Sequence, residues 1–123
     1  AYNYLVRNIK LNNVEDIVIP HLSDCRELSS KLTRLADRII MGYFYGVTDF
    51  LPHALYMVRE SGGVIHLHQL VKKDEVEQLK QKIISLNSSL GFTTDIIKSR
   101  VVKSYSASKI HIVIDMFVIN QNR

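Results

Sequence analysis

Apolar positions along the chain follow two spacings, and each stretch predicts one element. Tyr4, Leu5 and Ile9 recur at helical spacing over residues 1–13, a helix that Asn12 and Asn13 end. Residues 16–20 read as a short buried strand closed by Pro20. A short helix is expected over 24–35 and a second apolar strand over 37–42, followed by a loop with Gly46, Thr48 and Asp49. Residues 49–60 read as a helix with Pro52 in its first turn, where a missing N–H costs least. Ser61, Gly62 and Gly63 stop it, and residues 64–71 form a third strand. Over 74–90, Val76, Leu79, Ile83, Leu86 and Leu90 make one apolar stripe. Asp74 and Glu77 resemble a capping box at its start, and Gly91 suits the position just past its end. Two last strands, near 95–105 and 109–119, are joined by Ser106, Ala107 and Ser108, short enough only for an antiparallel hairpin. Ile110, Ile112, Ile114, Met116 and Val118 fill one face of the final strand. Val113, Phe117 and Ile119 add to the other, so it reads as a central strand.

Alternating strands and helices imply an α/β fold, with a parallel sheet and right-handed crossovers. A chain of 123 residues is one domain at most, and it shows no internal repeat, low-complexity tract or linker. A closing antiparallel hairpin is what the class I methyltransferase (Rossmann-like) fold adds to the ordinary dinucleotide-binding arrangement. By itself that analogy carries no chemistry. The first residues read as helix without a capping residue or an initial Met, which suggests a fragment or a processed chain. Hydrophobic content of 46% permits a core, and no apolar run reaches the roughly 18 residues of a membrane span. The single Cys25 excludes an internal disulfide and fits a reducing compartment, hence a cytoplasmic setting. The net charge of +4 suits a polyanionic partner without proving one.

Chemistry-bearing motifs are few. There is no Walker loop, no Gly-x-Gly-x-x-Gly and no Cys-x-x-Cys. His66 and His68 stand two apart on a strand and so project to one side. A zinc site there would need a third ligand such as His111 or Cys25, and neither has metal-motif spacing, so no metal is expected. A pocket lining and a purely structural role both remain open for this pair. Of the acids Asp24, Asp37, Asp49 and Asp115, Asp24 follows a strand at the carboxyl end, where open α/β sheets bind ligands. Met41, Gly42 and Tyr43 do the same. Gly42 would let a ligand approach the backbone and Tyr43 would offer a stacking face. Asp37 opens its strand at the wrong end and reads as a structural partner of Arg38 or of a neighbouring helix. Arg7, Lys10, Lys98, Arg100 and Lys103 are either phosphate contacts or a solvated basic face. Regular alternation would not point residues 98, 100 and 103 the same way.

Three runs together are more specific: Ala36-Asp-Arg-Ile-Ile-Met-Gly-Tyr43, Phe50-Leu-Pro-His-Ala-Leu55 and Gly62-Gly-Val-Ile-His-Leu-His68. With Arg100-Val-Val-Lys-Ser-Tyr105, His111-Ile-Val-Ile-Asp115 and the opening Ala1–Asn13 helix, they resemble the tRNA (guanine-N1) methyltransferase and wybutosine-synthesising transferase family over nearly the whole chain. The resemblance implies S-adenosylmethionine as cofactor and tRNA as partner, with reaction at the guanosine-derived base 3′ of the anticodon. Met41-Gly42-Tyr43 is similar to the wybutosine branch, which moves a 3-amino-3-carboxypropyl group. A guanine-N1 methyltransferase is the alternative, and a non-catalytic RNA-binding or interaction module is the alternative of another class. By the same resemblance, Asp24, in a Ser23-Asp24 pair where the family has Gly-Asp, would contact the adenine, while Met41, Gly42 and Tyr43 would line the cofactor pocket. Tyr43, His66, His68, Arg100 and Tyr105 would serve the substrate. The family's strand order 3-2-1-4-5-7-6 would make residues 16–20 the third strand and 37–42 the fourth. The first strands, the glycine-rich turn, the general base and the tRNA-grasping domain are expected before Ala1. Residues 1–123 alone are therefore expected neither to bind cofactor normally nor to catalyse, and the fourth strand is expected to expose an apolar edge.

Overall fold

The structure, a computed structural model, describes residues 1–43 and 46–121. In chain order its elements are α1 (Tyr2–Leu11), α2 (Cys25–Leu28), β1 (Arg38–Met41), α3 (Leu51–Met57), β2 (Gly63–Lys72), α4 (Val76–Ser89), β3 (Phe92–Ser104) and β4 (Lys109–Asn120). The strands form one sheet in the order β1-β2-β4-β3. β1 is parallel to β2, and β4 is antiparallel to both β2 and β3. This is the 4-5-7-6 half of the expected order, and the closing hairpin is in place.

The stripe on β4 explains why it sits in the middle. Ile110, Ile112, Ile114, Met116 and Val118 are each at most 6% exposed. Burying five such residues requires a neighbour on each side and helices above. The helices supply Leu51, Ala54 and Leu55 from α3 and Ile83 from α4, packed with Val58 and with Ile65 and Leu67 of β2. Val76, Leu79 and Leu86 close the flank of that core, as their spacing predicts. Asn87 is fully buried in α4 and donates through Nδ2 to Thr94 Oγ1 at 2.8 Å, tying the helix to β3. Gly91, at φ +86, ends the helix in the left-handed conformation expected of it. Gly63 has a different reason to be glycine: a Cβ there would stand 2.7 Å from the Asp37 carbonyl oxygen, where the lead into β1 runs alongside the start of β2.

Three expected elements differ. Residues 16–20 form turns and irregular chain, with Ile17 and Ile19 at 78% and 75% exposure. A strand exists only through its neighbour, and among the described residues none pairs there. β1 is the sheet edge, with Ile40 70% exposed. The helix expected over 24–35 is only the four residues of α2. Beyond it the Ser29, Ser30 and Thr33 hydroxyls bond back to carbonyls three or four residues earlier, and Arg34 turns to φ +58, so the chain leaves the helix. At α4 the capping box does not form. Asp74 lies in the 3-10 turn Lys73–Glu75 that leads into the helix, Glu75 is the N-cap, and no side chain caps the helix.

Candidate functional site

The carboxyl end of β1 opens onto a cavity of about 670 Å³ between that strand, α2 and α3. Its lining is mostly apolar: Ile39, Ile40, Met41, Gly42 and Tyr43 from β1 and its end, Phe50, Ala54 and Met57 from α3 and its entry, and Cys25. Asp49 and His53 are its polar groups. β1 ends at Met41, and the next residue is open: among the described residues, its chain neighbours aside, a Cβ on Gly42 would find no atom within 4 Å. The Tyr43 and Phe50 rings meet edge to face with centroids 6.1 Å apart, giving the mouth an aromatic corner. Pro52 stands in the first turn of α3, and His53 beside it lines the cavity, where its Nδ1 lies 3.3 Å from the hydroxyl of buried Ser29.

Asp24 stands at the rim. Its carboxylate caps α2, accepting the Arg26 N–H at 2.9 Å, and it also accepts from Nε and Nη2 of the same arginine at 3.0 and 2.7 Å. These hydrogen bonds hold its pKa at about 2. Three of its lone-pair positions are thus engaged locally, and Oδ2 keeps one for a ligand. The guanidinium of Arg26 in turn lies 5.3 Å from the Phe50 ring centre. Of the sequence-nominated residues, then, Met41, Gly42 and Tyr43 line the cavity and Asp24 adjoins it. Phe50, His53 and Cys25 were not assigned to the pocket, although all three line it at the carboxyl end of β1, where the ligand rule for α/β sheets points.

The remaining nominees gather elsewhere, on the sheet face turned away from α3 and α4. His66 and His68 do share a side. Arg38 Nη1 stands against His66 Nε2, and an arginine can only donate, so Nε2 accepts and the ring proton sits on Nδ1. That proton is donated to Asp115 Oδ1 at 2.6 Å, between side chains only 20% and 14% exposed. Asp115 Oδ2 lies 3.7 Å from Arg100 Nη2. One turn of the pleat along, His68 Nδ1 and His111 Nε2 are 2.9 Å apart and share one proton. The pKa of His68 is lowered, first by burial, then by His111 and His66. Among the described residues no group of three or more His, Cys, Asp or Glu is arranged to hold a metal, and Cys25 lies at the cavity, outside this cluster. Asp37 pairs with Arg59 just beyond α3 at 2.8 Å, the neighbouring-helix partner rather than Arg38. Tyr105 sits at the β3–β4 turn, outside the cavity lining, its N–H bonded to the Lys109 carbonyl at 3.0 Å.

A sheet of this order, closed by an antiparallel hairpin and with a cavity at its carboxyl edge, is the architecture of class I S-adenosylmethionine-dependent methyltransferases. Within that class the chain belongs to the TRM5/TYW2 methyltransferase domain family, which matches residues 1–90. It is 30% identical over 123 residues to the tRNA(Phe) (4-demethylwyosine(37)-C(7)) aminocarboxypropyltransferase of Pyrococcus horikoshii, covering 96% of this chain and 42% of that protein. It is 35% identical over 119 residues to the tRNA (guanine(37)-N(1))-methyltransferase Trm5b of Pyrococcus abyssi, covering 96% of this chain and 34% of that protein. The solved structure of Methanocaldococcus jannaschii TYW2 in complex with AdoMet superposes with a TM-score of 0.89 at 32% identity, over 97% of this chain and 53% of that one. The chain therefore spans less than half the length of these curated relatives. No helix of the described residues is long and apolar enough to cross a membrane.

Proposed function

We propose that this chain forms the cofactor- and target-facing part of an S-adenosylmethionine-dependent tRNA transferase of the wybutosine branch. The observation that carries the reading is Met41-Gly42-Tyr43, at the open end of β1 and on the lip of an apolar cavity with an aromatic corner. The residues fit the cofactor in kind. The open backbone at Gly42 admits a ligand against the strand end, Tyr43 and Phe50 offer faces for an aromatic or sulfonium group, and Asp24 retains one acceptor position for an amino group. When bound, the cofactor supplies a carbon activated by its sulfonium. Displacement at the aminocarboxypropyl carbon leaves methylthioadenosine, and displacement at the methyl carbon leaves S-adenosylhomocysteine. Both are in-line displacements and depend on positioning. The residues at the β1 end hold and orient the group, and choose which carbon faces the base.

Two relatives of similar identity carry the two chemistries in their names, so methyl transfer is the second reading. Incubating the full-length protein with S-adenosylmethionine and unmodified or 4-demethylwyosine-containing tRNA, followed by mass spectrometry of the nucleosides, separates them. An aminocarboxypropyl adduct with release of methylthioadenosine is expected. A methylated guanosine with S-adenosylhomocysteine would replace the first reading by the second, and no adduct on any tRNA would sink both.

A further inference from the structure

β2, β4 and β3 run on past the end of β1. Leu67 of β2 is level with Met41, and β2 continues to Lys72, a further reach of roughly 17 Å at about 3.3 Å per residue. Lys72 pairs with Lys109, and the 3-10 turn after β2 is pinned to the hairpin by Lys73 N–H donating to the Ser108 carbonyl at 3.1 Å. The three strands thus make a ribbon that projects from the cavity end of the sheet.

Strict alternation would scatter the basic residues of β3 over both faces. Two register shifts, between Ile96 and Lys98 and between Val101 and Lys103, undo that. After them Lys98 is opposite Asp115, Arg100 opposite Val113 and Lys103 opposite His111. Cross-strand partners point to the same side, so all three share one face, and the expectation that they diverge is corrected. Lys109 and Lys72 join that face through their own pairing. The result is a stripe of five exposed cations, about 20 Å long at about 3.3 Å per residue of β4. Between Asp95 and Asp115 the chain has four cations and no carboxylate. Arg100 is 3.7 Å from Asp115, and Lys72 is 4.0 Å from Glu75. Among the described residues Lys98, Lys103 and Lys109 have no carboxylate within 4 Å.

We infer that this ribbon face is a contact surface for an RNA sugar-phosphate backbone, holding the substrate beyond the cavity while the target base enters it. The inference rests on the tRNA reading above. It fits a polyanion because five exposed cations stand in a row on this face, and the acid among them, Asp115, is largely buried beside Arg100. Phosphate contacts position and do not read sequence, so the surface supplies affinity and register rather than choice of base.

The test uses the full-length protein and an unmodified tRNA transcript, with Lys103→Gln/Lys109→Gln beside Lys103→Arg/Lys109→Arg. Each lysine lost from a backbone contact removes about 0.7–1 from the slope of log affinity against log salt, so the glutamine pair is expected to flatten it by about 1.4–2. The arginine pair is expected to keep the wild-type slope. Binding of S-adenosylmethionine, measured in the same preparations, is expected to be equal in all three proteins, which also shows that they fold. A glutamine pair with the wild-type slope and affinity overturns the inference, and so does a wild-type protein that binds no RNA. If the wild type binds RNA with the lysine-dependent slope but leaves the tRNA unmodified, the surface stands and the transferase reading falls. If it modifies tRNA with an unchanged slope in the glutamine pair, the reverse holds.

Discussion

The two faces of β4 belong to the same twelve residues and do opposite things. On one, Ile110 to Val118 at every second position bury against α3 and α4, where the amide of Asn87 beside Met116 is the polar group. On the other, Asp115 meets His66 and Arg100 and His111 meets His68 across the strands, Lys109 stands opposite Lys72, and only Val113, Phe117 and Ile119 are apolar. The first face is paid for by burial. The second keeps charged groups partly solvated, and its half-buried members, His66 with Asp115 and His68 with His111, hold their places through each other. Substitutions on the two faces should therefore fail differently: the apolar face through packing volume, the polar one through uncompensated groups.

The largest expected effect lies on the apolar face. Ile114 is fully buried among Leu67, Met116 and the α3 side chains. Ile114→Ala should cost about 2–5 kcal/mol, measured by urea unfolding, because the removed atoms leave a cavity that the sheet cannot close. Ile40→Ala, on the same sheet but 70% exposed, should stay within about 0.5 kcal/mol. Comparable losses at the two positions would contradict the division of the sheet described here.

A smaller loss is expected on the polar face. Asp115→Ala removes the acceptor of the His66 Nδ1–H and the counter-charge near Arg100. Leaving that half-buried donor unmet should cost about 1–3 kcal/mol. Asp115→Asn keeps an acceptor oxygen and should recover most of it. A double-mutant cycle with His66→Ala should return a coupling of about 0.5–3 kcal/mol, and a coupling near zero would mean that the 2.6 Å contact carries no stability.

These two faces were unequally legible. The apolar stripe of β4, its central place and the hairpin follow from alternation, which burial enforces and which needs no knowledge of partners. The shared side of His66 and His68 follows from the same rule. The side of Lys103 does not, because a bulge is a property of two paired strands. A trace of it was present in the doubled apolar pairs Ile96-Ile97 and Val101-Val102, which break strict alternation next to each shift. The same limit explains residues 16–20, whose β-prone composition forms no strand without a neighbour, and Asp24, whose role as cap and arginine partner depends on where α2 begins. At the cavity, Met41-Gly42-Tyr43 was readable from its position after an apolar strand. His53 was not, because only the packing of α3 brings it to the lip.

The smallest expected effect distinguishes the faces by pH. The apolar face has nothing to titrate, so acid sensitivity near neutrality should come from the polar face. His68 is half-buried there, facing His66 on its own strand, His111 and Asp115 on β4 and Arg100 on β3. Burial, then His111 and His66, lower its folded pKa below the ordinary 6.5. Between those two values the unfolded chain binds a proton that the folded chain does not. The neutral ring's contribution to stability is therefore complete above pH 6.5 and lost as pH falls through the window down to the folded pKa. Unfolding free energies taken from pH 7.5 to 5 should decline with a His68-dependent slope below about 1.4 kcal/mol per pH unit, the limit for one proton. His68→Gln cannot bind that proton and should flatten the decline without touching the apolar face. Parallel curves for wild type and variant would show that the His68–His111 contact does not select the neutral ring, and the polar face would then owe its order to the His66–Asp115 pair alone.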